Sequence, residues 1–323
     1  MSALGELRAV YRSRFEPRYA ETIGYVGADV PREVIEAAGV IALRLAPIEG
    51  IETTFADRVL GPGVDSSIRG ILAALLEGAY PVDRLVLCSE SDHTVRLYTT
   101  LRRLTGHGLD LWFVDLLHLP RASTDAYDRE QLNRLVDWIG GASDLAGAIA
   151  ATNRLRELGD RLSSLRRGGV VSSRDALAIL GAGTALPAGR YAELLEGALG
   201  EVERGDGTGD GTGRTVVMLG SDHSDDAVYA AADELGATVV GETHGWGEAL
   251  LAGRVGENGD PVARLVSHYR VRPRVGPAPA EVTLAWIQSG DEGYAWSLPQ
   301  ARRELGRDLT VVRSLNELRK ALT

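Results

Sequence analysis

The fold is decided by the segment RLVLCSESDH, residues 84–93. Its apolar half, 85–88, is typical of a strand that is buried on both faces, and its polar half lies where such a strand ends. Helical spacing over 94–104 and a second apolar run over 111–114 follow it. This alternation of strand and helix predicts a parallel sheet with helices packed on it.

The polar end of this segment recurs twice in the chain. The triplet SDH at 91–93 is matched by SDH at 221–223 and by ETH at 242–244, and each follows an apolar run that predicts a strand. The carboxyl ends of parallel strands border the ligand crevice of an α/β sheet. We therefore expect the histidines of these triplets, three of the six in the chain, to face one pocket.

The rest of the sequence completes two such units with helices between them. The predicted strands lie at 40–45, 85–88 and 111–114 in the first unit, and at 215–219, 238–240, 282–287 and 309–312 in the second. Helical patterns lie between the units at 127–139, 142–167 and 173–202. We expect an α/β fold with two doubly wound, Rossmann- or flavodoxin-like parallel-sheet domains, at 1–125 and 205–323, joined by a helical segment at 126–204.

A glycine-rich stretch, GDGTGDGTG at 205–213, stands at the start of the second unit. Repeated glycine loses much backbone entropy on ordering, which favours a flexible surface loop. A phosphate-binding loop would need a strand before it and Gly-Lys-Ser/Thr after it, and the sequence has neither. The stretch is therefore predicted to separate the helical segment from the second domain.

Length, composition and charge limit the class of protein. With 323 residues and 44% hydrophobic content, an ordinary folded protein of about two domains is expected. The chain has no apolar run near the length of a membrane span and no signal-peptide core, so we expect a soluble cytoplasmic protein. The net charge of −10 has no basic stripe beside it, which argues against nucleic acid as a partner.

Cys88 is the single cysteine of the chain. One thiol excludes an internal disulfide and any site that needs several thiolates from this chain. Because it lies inside the apolar run 85–88, we interpret Cys88 as a small buried core residue.

Several segments, in the same order and spacing, resemble one known family. They are YVGADVPREVIEAAG at 25–39, SDHTVRLY at 91–98, LPR at 119–121, NR at 153–154 and WSLP at 296–299. The first is similar to the opening signature of the 2-hydroxyacyl-CoA dehydratase and benzoyl-CoA reductase subunits. The chain is thus identified as a divergent member of that family.

The resemblance implies an architecture and a chemistry. Family members pair two related subunits of twin α/β domains, and a subunit commonly holds a four-iron four-sulfur cluster through three cysteines. An activator protein injects an electron, and the reduced cluster helps to eliminate water from an acyl-CoA thioester or to reduce it. A homodimer or heterodimer with a related subunit is the implied assembly.

This chain departs from that pattern at the cluster positions. Where the resemblance places the three cysteines, the chain has Asp65, Ser91 and, for the third, His244 or Gly245. Carboxylate, hydroxyl and imidazole are harder donors than thiolate and suit zinc, mononuclear iron or no metal. We do not expect a cysteine-ligated cluster, and zinc or mononuclear iron are the candidate cofactors.

The candidate site residues come from the triplets and from the cluster positions. The predicted metal ligands are Asp65, His93, His223, His244 and Glu242. The predicted catalytic residues are His93, His223, His244 and Asp92, and the predicted substrate-binding residues are Ser91, Arg69 and Trp246. Two imidazoles and a carboxylate on one metal would leave positions open to polarise a carbonyl or to activate water.

Each candidate also has a structural interpretation. A histidine after a strand can satisfy backbone groups or face solvent, and Asp65 stands where it could cap a helix. Asp92, Asp222 and Glu242 could be solvated loop carboxylates or could orient other side chains. Arg69 could lie on a solvated helix face.

Three functions remain open from the sequence. The first is a dehydratase-like lyase that acts on a small acyl substrate, with acyl-CoA as one candidate, in a cleft between the two domains. The second is a catalytically silent subunit that supports an active partner. The third is a metal-dependent hydrolase or lyase in which a metal-bound water acts with a histidine base.

Overall fold

The computed structural model describes residues 2–209, 211–271, 278–306 and 308–323. It contains two parallel sheets of four strands each. The first sheet has the strands β1 Thr22–Val26, β2 Ile41–Arg44, β3 Arg84–Cys88 and β4 Asp110–Val114, and the second has β5 Arg214–Gly220, β6 Ala237–Glu242, β7 Val282–Trp286 and β8 Thr310–Val312. The predicted α/β class with two parallel sheets is confirmed.

Both sheets have the same strand order. It is β2-β1-β3-β4 in the first sheet and β6-β5-β7-β8 in the second. In each sheet the chain first moves to one side of the opening strand and then returns to the other side. The order therefore reverses between β1 and β3 and between β5 and β7, and ligands of open α/β sheets bind at such reversals.

The continuous apolar runs of the sequence arise because both faces of each sheet are covered. Successive side chains of a strand point to opposite faces. Val86 and Cys88 pack into the core on one face of the first sheet, whereas Leu85 and Leu87 pack into the core on the other face. A strand that is buried on both faces has no polar side to alternate with.

Thirteen α-helices lie in the described part of the chain. They are α1 Ala3–Arg12, α2 Arg32–Ala37, α3 Thr54–Leu60, α4 Ser66–Leu76, α5 Asp92–Leu101, α6 Ala122–Ile139, α7 Leu145–Arg167, α8 Ser173–Ala182, α9 Ala188–Glu201, α10 Ala227–Glu234, α11 Pro261–Val271, α12 Glu292–Leu305 and α13 Leu315–Leu322. A π-helical turn at Val202–Asp206 and a 3-10 helix at Glu248–Leu251 complete the regular structure. Within the described residues, no helix combines the length and the apolar character that a membrane span requires.

The helix predicted over 173–202 is two helices in the structure. α8 ends at Ala182, and α9 begins after Pro187, which occupies the N-cap position. Proline has no N–H to donate and disfavours helical geometry in the residue before it, so a single helix through this point is unfavourable. The prediction of one continuous helix was wrong for this reason.

Two helices each pack with the half of the molecule that is more distant from them in sequence. α1 lies against α8 and α9, and its residues Leu7 and Tyr11 belong to the core that covers one face of the second sheet. α11 packs against α6, and Leu265 belongs to a core of the first sheet. The chain thus passes between the two halves more often than the ranges 1–125, 126–204 and 205–323 imply, and these boundaries stay predictions.

The glycine-rich stretch begins within the π-helical turn and lies against the residues that follow α7. The N–H groups of Thr208 and Gly209 donate to the carbonyl of Val170 at 3.0 and 3.1 Å. A Cβ atom at Gly209 would lie only 2.1 Å from the Gly169 carbonyl oxygen, so this approach requires glycine. Asp210, also part of the predicted loop, lies outside the described residues.

Candidate functional site

The carboxyl ends of the two sheets face each other across a cleft of about 1000 Å³. Its walls are formed mainly by segments that follow strands or begin helices. The lining includes residues from 25–30, 44–45, 63–71, 90–96, 220–222, 243–252 and 291–294. A cleft of this size, at the strand-order reversals of two sheets, is the usual place for a small-molecule site.

Arg44 connects the two halves at the floor of the cleft. It ends β2, and its buried guanidinium donates to Asp222 Oδ2 at 3.2 Å and to the carbonyl of Gly245. The guanidinium also lies over the Trp246 ring, 4.7 Å from its centroid. Cation–π packing and charged hydrogen bonds hold Arg44 in place between the halves.

A second set of hydrogen bonds joins the halves at the start of α4. The Ser67 hydroxyl donates to Gln288 Oε1 at 2.7 Å, and the Ser66 N–H donates to the Ser289 carbonyl at 3.1 Å. Gly290 has a φ of +88°, in the left-handed region, and a Cβ there would lie 2.4 Å from the Val64 carbonyl oxygen. Only glycine allows this approach of the two halves.

Asp65 lies at the edge of the cleft and caps α4. Its Oδ1 accepts a hydrogen bond from the Ser67 N–H at 2.6 Å, and its side chain is 8% exposed. Burial and the nearby Asp291 raise the pKa of Asp65 above its ordinary value, although the Ser67 N–H and His93 oppose the shift. The capping role and the position in the cleft, which the sequence left as alternatives, therefore coincide in one residue.

The first SDH triplet begins α5 at the cleft. Ser91 is the N-cap, and its Oγ accepts a hydrogen bond from the Thr94 N–H at 3.2 Å. Asp92 is exposed and His93 is half-buried, and both line the cleft together with Ser91. The structure thus brings three predicted site residues to the cleft on one helix start.

His223 and His244 lie together, but behind the cleft wall. Both are buried, and their ring centroids are 4.2 Å apart. His244 Nδ1 accepts a hydrogen bond from the Trp246 N–H at 3.2 Å, and its Nε2 lies 3.0 Å from the Tyr229 hydroxyl. Burial, His223 and nearby arginines lower the pKa of His244 well below its ordinary value, which keeps this imidazole neutral.

Glu242 is held in a buried ion pair. Arg166 donates to both of its carboxylate oxygens, at 2.7 and 2.6 Å, and also to the Val239 carbonyl at 3.0 Å. Neither side chain of the pair is exposed to solvent. Both charges are therefore satisfied inside the protein, on the sheet face that α7 covers.

The five predicted metal ligands are not brought together. Asp65 and His93 line the cleft. The other three predicted ligands, His223, His244 and Glu242, are buried behind the cleft wall. Among the residues that the structure describes, no group of three or more His, Cys, Asp or Glu side chains is arranged to hold a metal ion. His223 and His244 instead pack against Tyr229, and Glu242 pairs with Arg166.

The predicted substrate-binding residues also divide. Ser91 and Trp246 line the cleft. Arg69 instead donates to Asp57 Oδ1 at 2.8 Å, on the side of α4 that faces α3, and it is not part of the lining.

Glu90 is a cleft residue that the sequence interpretation missed. It is half-buried at the end of β3, and its carboxylate accepts a hydrogen bond from the Ala28 N–H at the end of β1. Burial and the Asp222 carboxylate raise the pKa of Glu90 to about 7, although Arg44 opposes the shift. Its position directly before the SDH triplet was visible in the sequence, but a single glutamate after a strand resembles any solvated loop carboxylate.

A further buried cluster closes the cleft beneath α2. Arg156 donates to Glu33 Oε1 at 2.7 Å, and the Tyr269 hydroxyl donates to Glu33 Oε2 at 2.7 Å. Burial alone would raise the pKa of Glu33, but Arg156 and Tyr269 outweigh it and lower the pKa to about 2. Arg156 and Tyr269 line the cleft. The charge of Arg156 in this wall is therefore already paired with that of Glu33.

The residues at the cluster positions do not fit a cysteine-ligated iron–sulfur cluster. Asp65 caps a helix, Ser91 caps another, and His244 is bonded to Tyr229 behind the wall. The one thiol, Cys88, is fully buried 3.7 Å from the Val26 carbonyl oxygen, and burial raises its pKa well above the ordinary value. A thiolate donor set is therefore not present at this site.

The family comparison agrees with the resemblance seen in the sequence. The model of a family described as 2-hydroxyglutaryl-CoA dehydratase, D-component, matches residues 28–287, which is more than half of the chain. A search of curated proteins finds no match. The matched range runs from the loop after β1 to the residue after β7, and it therefore contains most of the segments that line the cleft.

Proposed function

Because the chain belongs to the 2-hydroxyglutaryl-CoA dehydratase D-component family, we propose that it is a dehydratase-like lyase that acts on a small acyl substrate in the cleft. The proposed chemistry is acid–base chemistry by side chains of this chain, without a cysteine-ligated cluster. The observation that carries the proposal is the cleft itself, where the carboxyl ends of both sheets meet.

The residues at the start of α5 supply groups for this chemistry. His93 is a candidate acid–base group because an imidazole that faces the cleft can donate or accept a proton at a bound substrate. Asp92 and Ser91 line the cleft beside it, where a carboxylate could orient the imidazole and a hydroxyl could bind a substrate oxygen. His223 and His244 are proposed to support the wall from behind, since their rings are buried away from the cleft.

The charges of the cleft favour a short acyl group over a nucleotide inside it. Arg32, Arg44 and Arg156 are paired with Glu36, Asp222 and Glu33, respectively, and so are not free to bind phosphate, while Arg96 lines the cleft from an exposed position on α5. The chain has a single lysine, Lys320, in the C-terminal helix α13. We propose that the acyl part of a substrate occupies the cleft and that the nucleotide of a coenzyme A thioester, where present, stays outside.

Binding of matched probes tests this proposal. The probes are the N-acetylcysteamine thioester and the coenzyme A thioester of one short hydroxy acid. Their binding to the full chain is measured by saturation-transfer NMR. We expect both thioesters to bind, and His93→Ala to weaken binding at least tenfold. His107→Ala is the matched control, because His107 bonds to Leu101 and Leu109 away from the cleft and should leave binding unchanged. Failure of both thioesters to bind would refute the proposal.

A second candidate function is a silent subunit that supports a related, cluster-bearing partner. It is favoured by the family description, which names one component of a dehydratase, and by the absence of three cysteines from the sequence. Turnover of a thioester by the purified chain alone would contradict this candidate.

A further inference from the structure

Glu90 occupies the point where the strand order of the first sheet reverses. It follows β3, and it accepts a hydrogen bond from the Ala28 N–H that follows β1. Gly27 makes this position available: a Cβ atom there would lie 2.2 Å from Cys88 Sγ and 3.1 Å from Glu90 Cδ. The carboxylate is thus held at the centre of the crevice in which ligands of this fold bind.

The charged groups around Glu90 come from both halves of the molecule. Asp222 approaches from the second sheet, while Arg44 on β2 and Asp29 after β1 belong to the first. Cys88 lies beside it as a buried, neutral thiol. Arg44 is shared with Asp222, so it only partly neutralises the two carboxylates. Burial and these neighbours give Glu90 a pKa of about 7, where a carboxyl group can both donate and accept a proton at neutral pH.

We propose that Glu90 is the residue that transfers the proton in this cleft, with Asp222 and Arg44 as the positioning residues that tune it across the two halves. We propose further that the substrate class is a 3-hydroxyacyl thioester, with its leaving group β to the carbonyl. Both statements rest on the proposed function, since they assign a role within the same cleft.

The elimination balances without any further reactant. The Glu90 carboxylate removes the proton on the α-carbon, and the electron pair of that C–H bond forms the double bond to the β-carbon. The β C–O bond breaks with its electron pair on oxygen, which takes the proton from Glu90 and leaves as water. The products are a 2,3-unsaturated acyl thioester and water, and Glu90 returns to its carboxylate form.

The position of the leaving group follows from the acidity of the hydrogen. The thioester carbonyl acidifies the α-hydrogen, so a carboxylate base of ordinary strength can assist its removal. In a 2-hydroxyacyl thioester the hydrogen to be removed is on the β-carbon, which the carbonyl does not acidify. A side-chain base therefore suits the 3-hydroxyacyl isomer.

Two isomeric probes in deuterium oxide test this inference on the full chain. They are the N-acetylcysteamine thioesters of 3-hydroxybutyrate and 2-hydroxybutyrate. Proton NMR monitors the reaction of each probe. We expect the α-hydrogen of the 3-hydroxy probe to exchange and the unsaturated thioester to form, while the 2-hydroxy probe stays unchanged. Glu90→Gln should slow the reaction by about a hundredfold or more. The control Glu77→Gln alters an exposed residue at the end of α4 and should react as the wild type does.

The positioning role has its own readout. Asp222→Asn removes a carboxylate that raises the pKa of Glu90, so the pH–rate profile should move to lower pH. Folding of each variant is checked by its thermal melting curve at pH 6.

The outcomes separate this inference from the proposed function. If the 3-hydroxy probe binds without reacting, or reacts equally with Glu90→Gln, the inference is overturned while the proposed function stands. Reaction of the 2-hydroxy probe overturns the substrate class. If neither probe binds by saturation-transfer NMR, both proposals fall.

Discussion

The guanidinium of Arg44 donates to Asp222 Oδ2 at 3.2 Å, and this contact joins the two sheets at the floor of the cleft. Arg44 ends β2, and Asp222 follows β5. The same guanidinium packs on the Trp246 ring of the cleft wall. The geometry of the cleft therefore depends on a few polar contacts between the halves.

Arg44→Gln should destabilise the protein and weaken ligand binding together. The change removes the Asp222 ion pair, the bond to the Gly245 carbonyl and the packing on Trp246. We expect the free energy of unfolding to fall by about 1–3 kcal/mol in urea titrations. Arg69→Gln is the matched control, because Arg69 pairs with Asp57 inside one half and should leave binding intact. Equal loss of binding in both variants would argue against the role of Arg44.

Glu90 should make the folded protein less stable as the pH rises. Its pKa is raised from an ordinary 4.5 to about 7, so the folded state holds a proton that the unfolded state has released. The stability it contributes is present below the ordinary value and is lost as the pH rises through about 7. Glu90→Gln does not ionise, so its stability relative to the wild type should rise between pH 5 and pH 8 by about 1–3 kcal/mol. Parallel curves for the two proteins would contradict the raised pKa.

His244 and His268 should act in the opposite direction. Burial lowers the pKa of His244 well below its ordinary value, and burial with Arg156 lowers that of His268 to about 4. The stability that these neutral imidazoles contribute is present above the ordinary value of 6.5 and is lost as the pH falls. His244→Gln should flatten the decline in the free energy of unfolding between about pH 6.5 and pH 5. An unchanged decline would show that His244 takes up no proton on unfolding.

Arg166→Met should be among the most destabilising single changes. It would leave the Glu242 carboxylate buried without its partner, which costs about 3–5 kcal/mol in comparable pairs. The double change Arg166→Met with Glu242→Met should recover only part of that loss, since the Glu242 charge is removed with its partner while the buried Glu248, 3.8 Å from Arg166, keeps its carboxylate. Chemical unfolding of the three proteins measures this, and additive losses would contradict a coupled pair.

The sequence predicted the two parallel sheets and candidate residues of which some lie at the cleft, but not the direction of each side chain. Apolar runs and following helices identify the strands because both faces of each sheet are covered. Ser91 could be placed at the cleft because it begins a helix directly after a strand, and Asp65 because it begins a helix at a position where the family resemblance places a cluster cysteine. His223 and His244 follow strands as well, yet their rings turn behind the wall, which depends on packing against Tyr229.

The role of Glu90 and the packing partners of α1 could not be predicted from the local sequence pattern. The importance of Glu90 comes from Asp222 and Arg44, which are distant in sequence and meet it only in the fold. α1 packs on α8 and α9 from the opposite end of the chain, and no local signal specifies that partner.

Elemental analysis should find no cluster bound by this chain alone. The residues at the expected cluster positions are not thiolates, and Cys88 is buried in a strand. Protein purified without oxygen should therefore contain no matching iron and acid-labile sulfide, measured together with an absorption spectrum. Stoichiometric iron and sulfide would contradict the cluster-free chemistry proposed for the cleft.

The most direct test of the account is to map where a ligand binds. Backbone amide NMR of the full chain is recorded while the N-acetylcysteamine thioester of 3-hydroxybutyrate is added. We predict shifts at Gly27, Gly220 and Gly245, which line the cleft from both sheets. Shifts confined to Gly159 and Gly253, which line a separate cavity of about 380 Å³, would contradict the assignment of the cleft as the site.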